Sequence, residues 1–451
     1  MTAVRTIQVE SIGEGTSAEA MRQKLVDRLN KDGRFKVVES RSAADVVLRG
    51  TSSIWATGTV VFAPHSKAAS QTVYQGYLSV ELVDKADQIL WSYLLTPSRF
   101  RTANITDDLA DHMASHLLDA LKSGAAGAHS TMGRPPRTQV ALHAAGATFP
   151  APIYLKWFES SGMPVTYDAI GSEAGIAQLA EGKVDFAASD MPLTEANSPA
   201  GLHVIHFPTV LGGVVPIYNL PALGHALRFT PEMLAGIYSG TIRKWNDPRI
   251  LEMNHGTHLP DTDIAVVHRS DGSGTTFVWT SFLSLVNAEW KDSVGAGTHV
   301  AWPTGAGATG NEGVAELVQK TPNSIGYVEL IYAIQHELNY GAVRNPAGEF
   351  IKADLASITA AASSATASPG QDLRFSILNS ANKDAYPIST FTWLLVPAKG
   401  MSAEKRAAIA EFLKWALTTG QKQCEALGYA PLSHEIVSSE LQAVSAWKSN
   451  E

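Results

Sequence analysis

From residue 138 onward the chain repeats one local plan: an apolar strand, a few small residues, then a helix. Val140–Ala144, Val165–Ala169, Phe186–Ala188, Val210–Tyr218 and Ile264–His268 read as buried strands. Helices are expected between them at Pro152–Ser160, Ile176–Glu181, Pro231–Ser239 and Phe277–Ala288. That alternation predicts an α/β fold, in which ligands sit at the carboxyl ends of the strands.

Four of the junctions share a chemistry: Gly146-Ala-Thr-Phe-Pro150, Gly171-Ser-Glu-Ala-Gly175, Ala188-Ser-Asp190 and Arg269-Ser-Asp-Gly-Ser-Gly-Thr-Thr276. Small residues let backbone N–H groups come close to a ligand, and the following helix leaves its first N–H groups unpaired at the positive end of its dipole. This arrangement suits an oxyanion. Ser and Thr hydroxyls add donors, and Arg269 adds a planar charged fork. Each junction alone reads equally as an ordinary helix cap or turn; the set, in this order, carries the signal.

Residues 1–125 read differently, as a small α+β accessory domain. Thr6–Val9, Phe35–Val38, Val46–Leu48, Thr59–Phe62, Tyr77–Val83 and Ile89–Leu95 are strand candidates. Helices are expected over Ala18–Leu29, with Met21, Leu25 and Leu29 on one face, and over Ile105–Leu121, with Leu109, Met113, Leu117 and Leu121. Residues 126–137, rich in Gly, Pro and small polar side chains, form a linker. Ala360–Gly370, rich in Ala and Ser, reads as a surface excursion.

Composition removes several function classes. The 451 residues carry 35 basic and 43 acidic side chains, a net charge of −8, which argues against a general nucleic-acid binder. At 45% hydrophobic and 17% charged, the chain can bury a large core. Its one cysteine, Cys424, allows no internal disulfide and no thiolate metal cluster. No apolar run reaches the ~18–20 residues that span a bilayer, and the start Met1-Thr-Ala-Val-Arg lacks a leader pattern, so either the protein is cytosolic or its leader is absent from this chain.

Longer ordered motifs carry a family resemblance. They are Ala145-Gly-Ala-Thr-Phe-Pro-Ala-Pro-Ile-Tyr-Leu-Lys-Trp157, Val184-Asp-Phe-Ala-Ala-Ser-Asp-Met-Pro-Leu193, Phe207-Pro-Thr-Val-Leu-Gly-Gly-Val-Val215, Ile237-Tyr-Ser-Gly-Thr-Ile-Arg-Lys-Trp-Asn-Asp247, Arg269-Ser-Asp-Gly-Ser-Gly-Thr275, Ser324-Ile-Gly-Tyr-Val-Glu329 and Tyr386-Pro-Ile388. On these, residues 138 to about 444 closely resemble the PstS family, the periplasmic phosphate-binding receptors of phosphate ABC transporters. The resemblance implies a two-lobed, type II periplasmic-binding-protein fold that closes on inorganic phosphate and delivers it to membrane permease subunits. It implies no enzyme activity and no cofactor, and a periplasmic or cell-surface location. Lobe I would be 138–208 plus 388–451, and lobe II 209–387. A receptor for another tetrahedral oxyanion and a phosphatase on the same fold are the alternatives.

The family's phosphate-binding positions carry over to Thr148, Phe149, Ser172, Asp190, Arg269, Ser273, Gly274 and Thr275, with Asp271 orienting Arg269. Asp190 would face the ion. An ionised carboxylate only accepts hydrogen bonds, so it can accept from protonated phosphate but meets only lone pairs on sulfate. A site built around such a bond rejects the analogue lacking it by about 10⁴–10⁵-fold. An N-cap ahead of Pro192 is the plain alternative for Asp190. Glu173 departs from the family's serine-glycine pair; it is expected to point into solvent at a helix start, and an inward orientation would change affinity or its pH dependence.

Other signals were weaker. Gly305-Ala-Gly-Ala-Thr-Gly310 matches a dinucleotide fingerprint, but Pro303 spoils the strand that should precede it, and the stretch aligns with a glycine-rich loop of the phosphate receptors. His255-Gly-Thr-His258 reads as a solvated loop, not a metal pair. Ser273 near His268 lacks an acid for a triad. Trp157, Trp245, Trp279 and Trp302 read as packing residues. The partner of residues 1–125 is unknown from the sequence; an interaction or tethering module is the expectation, and a lid over the cleft the alternative.

Overall fold

The structure, a computed structural model, describes residues 4–13, 15–33, 35–60, 71–95, 105–122, 140–220, 223, 225–363 and 374–449. The expected linker 126–137, residues 61–62 of one expected strand and residues 364–370 of the Ala/Ser stretch lie outside them. Two compact units are present. One draws on residues 1–132, 221–226 and 422–428, the other on 133–220, 227–421 and 429–451.

The first unit is a five-stranded sheet under two helices. Its elements are β1 (Thr6–Val9), α1 (Gly15–Asp32), β2 (Lys36–Val37), β3 (Val46–Val60), β4 (Gln71–Val83), β5 (Ile89–Leu95) and α2 (Ile105–Lys122), with sheet order β2-β1-β3-β4-β5. Apolar residues at helical spacing make the core: Met21, Leu25 and Leu29 meet Leu109, Met113 and Leu117 over Ile7, Leu48, Leu78 and Val80. Val46–Leu48 and Thr59–Phe62 are not separate strands. Their described parts are the two ends of β3, which pairs with β4 from Val47 to Val60 with a register shift between Ala56 and Gly58. Backbone pairing continues through the polar run Thr51-Ser-Ser53 between them. Within this unit Ser79 Oγ donates to the Ala426 carbonyl at 2.7 Å, and Ser92 Oγ to the Lys422 carbonyl.

The second unit carries the α/β plan. It begins with β6 (Leu142–Gly146), α3 (Ala151–Ser161), β7 (Val165–Asp168), α4 (Ser172–Ala180), β8 (Phe186–Ser189) and the 16-residue β9 (Val204–Asn219). There follow β10 (Arg228–Phe229), α5 (Pro231–Tyr238), α6 (Pro248–Met253), β11 (Ala265–Arg269), α7 (Gly274–Val286), α8 (Ala288–Ser293), β12 (Ala306–Ala308) and α9 (Gly310–Lys320). Then come β13 (Ser324–Glu329), α10 (Leu330–Gln335), β14 (Asn339–Tyr340), β15 (Ala342–Arg344), β16 (Phe350–Lys352) and α11 (Leu355–Ala361). The last elements are β17 (Ser389–Pro397), α12 (Ala403–Thr418) and α13 (His434–Ser449).

These make a sheet of order β12-β11-β13-β9-β17-β8-β6-β7, with β14 also on β9, and a small sheet β10-β15-β16. The strand β9 ties the two halves. Residues 204–213 pair with β17, and residues 214–219 pair with β13. The change of partner falls at Gly212-Gly213. A Cβ on Gly212 would lie 2.5 Å from the Phe149 ring, so only glycine lets that ring sit against the crossing strand. Trp157, Trp245 and Trp279 are fully buried, as packing residues should be. Among the described residues no helix is long and apolar enough to cross a membrane.

One close approach sets the start of α4. A Cβ on Gly175 would lie 2.4 Å from the Gly146 Cα and 2.7 Å from the Ala145 carbonyl oxygen. Both are backbone atoms and cannot swing aside. Alanine is the better helix former by about 1 kcal/mol, yet overpacking of this kind costs about 1–3 kcal/mol. Gly175→Ala should therefore lower the thermal unfolding midpoint by a few degrees. A raised midpoint would show that helix and strand are not in tight contact.

Candidate functional site

The four junctions converge. In the β6–α3 loop, phenol groups take three successive carbonyls: Tyr167 donates to Ala147 O at 2.6 Å, Tyr332 to Thr148 O at 2.7 Å and Tyr429 to Phe149 O at 2.6 Å. Burial pushes all three phenols above their ordinary range, so each stays protonated and donates. With the carbonyls held on one side, the Thr148 and Phe149 N–H groups have no partner among the described residues.

The next two junctions meet that loop. Gly171, at φ +94°, donates its N–H to Gly146 O at 2.9 Å and starts α4. Ser172 is fully buried, and its Oγ accepts the Asp190 N–H at 3.4 Å. Asp190 follows β8 and caps no helix, so the plain N-cap alternative is set aside. Its Oδ1 accepts from Thr392 Oγ1 at 2.7 Å, while Oδ2 is buried with no partner among the described residues.

The fourth junction closes the ring. Ser273 is the N-cap of α7, its Oγ accepting from the Thr276 N–H at 3.1 Å. Capping leaves the hydroxyl its own proton to donate. Gly274 and Thr275 open the helix, where N–H groups lack intrahelical partners. A Cβ on Gly274 would lie 2.4 Å from Ser172 Oγ and 2.6 Å from Asp190 Oδ2, so these three residues meet at one point.

Arg269, 3% exposed, ends β11. Its Nε donates to Asp271 Oδ1 at 2.7 Å, Nη2 pairs with Asp271 Oδ2, and Nη1 donates to Thr148 Oγ1 at 3.3 Å. Burial pushes the Asp271 carboxyl up, but Arg269 and the Gly310 N–H together hold it below the ordinary range. Asp271 thus orients the guanidinium and neutralises it. Burial pushes Asp190 up to about 7, against the Thr392 hydrogen bond and the charge of Arg269. Buried Glu329 nearby is pushed well above its ordinary range, also by burial.

Glu173 is exposed, at the start of α4 as expected, but it is not free in solvent. Its Oε2 accepts from Thr298 Oγ1 at 3.0 Å, and its N–H donates to Gly272 O at 3.1 Å. The reading from sequence missed Asn311, which the first turn of α9 delivers to the same place. Its side-chain amide donates to Thr148 Oγ1 at 2.9 Å and to Thr275 Oγ1 at 3.2 Å. It also missed the three tyrosines, which lie far apart in sequence with no shared motif. His255 and His258 lie in an exposed loop. His268 stacks on Trp302, ring centroids 4.7 Å apart, with Nδ1 at the Arg269 carbonyl.

Asp190 makes stability depend on pH. Its folded-state value of about 7 lies above the ordinary 3.8. Below pH ~4 both states hold the proton. Between ~4 and ~7 the unfolded chain ionises while the folded chain keeps its proton, so stability falls as pH rises, by up to about 4 kcal/mol. Asp190→Asn keeps the acceptor for Thr392 and removes this slope. Without added anion, the variant should melt above the parent at pH 8 and close to it at pH 4.5. Parallel melting curves across that range would refute the assignment.

Comparison with known proteins agrees with this architecture. A family model described as a PBP superfamily domain matches residues 127–419. The phosphate-binding protein PstS of Xylella fastidiosa (strain Temecula1) is 44% identical over 304 residues, covering 66% of this chain and 83% of the relative. The phosphate-binding protein PstS of Pasteurella multocida is 41% identical over 309 residues, covering 67% and 89%. Among solved structures, a phosphate-binding protein from Stenotrophomonas maltophilia shares the fold at a TM-score of 0.54 and 20% identity, covering 67% of this chain and 94% of that one. The family match begins at residue 127, so β1 to α2 lie outside it. Residues 127–419 make this chain a member of the PBP superfamily, and the relatives place it in the PstS family.

Proposed function

We propose that this protein captures inorganic phosphate between two lobes and delivers it to the membrane permease of an ABC transporter. The observation that carries the reading is Asp190 Oδ2: a buried carboxylate oxygen without a partner among the described residues, facing the first turn of α7. An unpaired buried carboxylate oxygen costs about 1–3 kcal/mol or more, and a protonated phosphate oxygen supplies the missing donor. Around it stand the N–H groups of Thr148, Phe149, Gly274 and Thr275, the hydroxyls of Thr148, Ser172, Ser273 and Thr275, and Arg269. Relatives named as phosphate-binding proteins support the choice of anion.

The mechanism is capture without bond-making. Lobe I, 138–208 with 388–451, offers Thr148, Phe149, Ser172 and Asp190; lobe II, 209–387, offers Arg269, Ser273, Gly274 and Thr275. The exchange of partners along β9 at Gly212-Gly213, opposite Ser389 of β17, supports this boundary. Closure replaces hydration by fixed donors, and release requires the permease to favour the open form, since states shift only by differential affinity. This work lies outside the cytoplasm, as for the periplasmic phosphate-binding protein of similar fold at a TM-score of 0.54. A phosphatase reading finds little support: Ser273 Oγ accepts from its own helix, and His268 is engaged with Trp302. The five-stranded unit serves as an interaction or tethering module, and a chain lacking residues 1–137 should bind phosphate unchanged. A shift in affinity would favour the lid.

Asp190 near 7 also sets how selectivity varies with pH. Ionised, it accepts from phosphate and repels sulfate. Protonated, it can donate to either anion. Calorimetric titration should show strong preference for phosphate over sulfate at pH 8 that narrows towards pH 5.5. Asp190→Asn should bring most of that narrowing at every pH, by weakening sulfate rejection more than phosphate binding. Equal selectivity for parent and variant would remove the carboxylate from the argument.

A further inference from the structure

We infer that Asn311 is a positioning residue that fixes the direction of two hydroxyl protons in the anion site, and so decides whether Thr148 and Thr275 act as donors. The inference rests on the phosphate-receptor reading above and deepens it.

The amide of Asn311 is fully buried and its orientation is fixed by its partners. Oδ1 accepts the Glu329 N–H at 3.0 Å, and a backbone N–H can only donate, so the other end of the amide must be the NH₂ group. That group has two hydrogens and two partners: Thr148 Oγ1 at 2.9 Å and Thr275 Oγ1 at 3.2 Å. Both amide hydrogens are thereby used.

A threonine hydroxyl has one hydrogen and two lone pairs. Thr148 Oγ1 also faces Arg269 Nη1 at 3.3 Å and the Asn311 N–H at 3.4 Å. All three neighbours are donors, so the hydroxyl cannot give its hydrogen to any of them. Its hydrogen is left for another acceptor, and an anion beside Arg269 and the start of α7 would be one. Thr275 Oγ1 accepts the second amide hydrogen, so it too cannot give its own hydrogen to Asn311. Without such a neighbour a hydroxyl rotates freely, and an anion has to order it before accepting its hydrogen. The amide therefore supplies no contact of its own but orders two hydroxyls as donors in advance. Ser172 and Ser273 follow the same rule through other N–H groups, those of Asp190 and Thr276.

Placement explains how one side chain serves both hydroxyls. Asn311 is the second residue of α9, and Gly310, at φ +72°, turns the chain into that helix. Thr148 comes from the loop after β6 and Thr275 from the first turn of α7. A single planar amide, held at its back by Glu329, spans the two.

The test compares Asn311→Asp and Asn311→Ser with the parent by phosphate calorimetry, each also in a Thr148→Val, Thr275→Val background. Aspartate keeps the acceptor for the Glu329 N–H but offers lone pairs where the NH₂ stood, so both hydroxyls turn to it. Affinity should fall at least ~30-fold for aspartate, the worth of one or two hydrogen bonds to a charged group, and less for serine. In the double-valine background no hydroxyl remains to be turned, and Asn311→Ser should change affinity less than ~3-fold. Equal losses in both backgrounds would overturn the inference and leave Asn311 a packing residue. Unchanged affinity of both variants with intact hydroxyls would overturn it as well. A parent protein that binds no phosphate would instead sink the receptor reading, and the two failures are thereby distinguished.

Discussion

The site depends on the pairing of Arg269 with Asp271. A guanidinium 3% exposed is costly to bury alone, and Asp271 meets it through Nε and Nη2. That leaves Nη1, already turned towards Thr148, as the edge facing the pocket. The pair carries no net charge, so an anion placed there is held mainly by oriented dipoles: amide N–H groups, helix starts and hydroxyls. Such groups need no movement of their own when charge arrives, and in a water-excluded pocket each is worth more than in solution.

Fixed dipoles require a fixed scaffold, and the structure shows where the fixing is done. Three phenols hold the carbonyls of Ala147, Thr148 and Phe149, which prevents the peptide planes from turning. These come from β7, α10 and the segment after α12, so the loop is braced from widely separated parts of the chain. Glycines do the complementary work: a side chain at Gly175 would separate two backbones, and one at Gly274 would meet the Ser172 hydroxyl and the Asp190 carboxylate. Bracing and close approach together explain why small residues and buried tyrosines surround one pocket.

Much of this was legible in the sequence, for a physical reason. Close backbone approach demands small residues, and small residues beside apolar strands leave a visible pattern, as at 146–150 and 269–276. Helical spacing likewise exposed the core of α1 and α2. What the chain did not announce were partners whose chemistry is generic. Asn311 stands directly after a glycine pattern that invited a nucleotide reading, and an asparagine at a helix start looks like any cap. Tyr332 and Tyr429 are ordinary core aromatics, and Tyr167 a half-buried one, until their hydroxyls are seen to end on consecutive carbonyls. The length of β3 was hidden because Thr51-Ser-Ser53 carries no apolar signal, although its backbone pairs without interruption.

The contact between Phe149 and Gly212 has a mechanical consequence. The ring lies against the point where β9 exchanges one neighbouring strand for another, and the N–H of the same residue has no partner among the described residues. There is no slack between them: a twist of the strand at that point pushes on the ring, and the ring is a short lever on the amide behind it. Bending of the sheet and the aim of that N–H are therefore geared to each other through a single side chain.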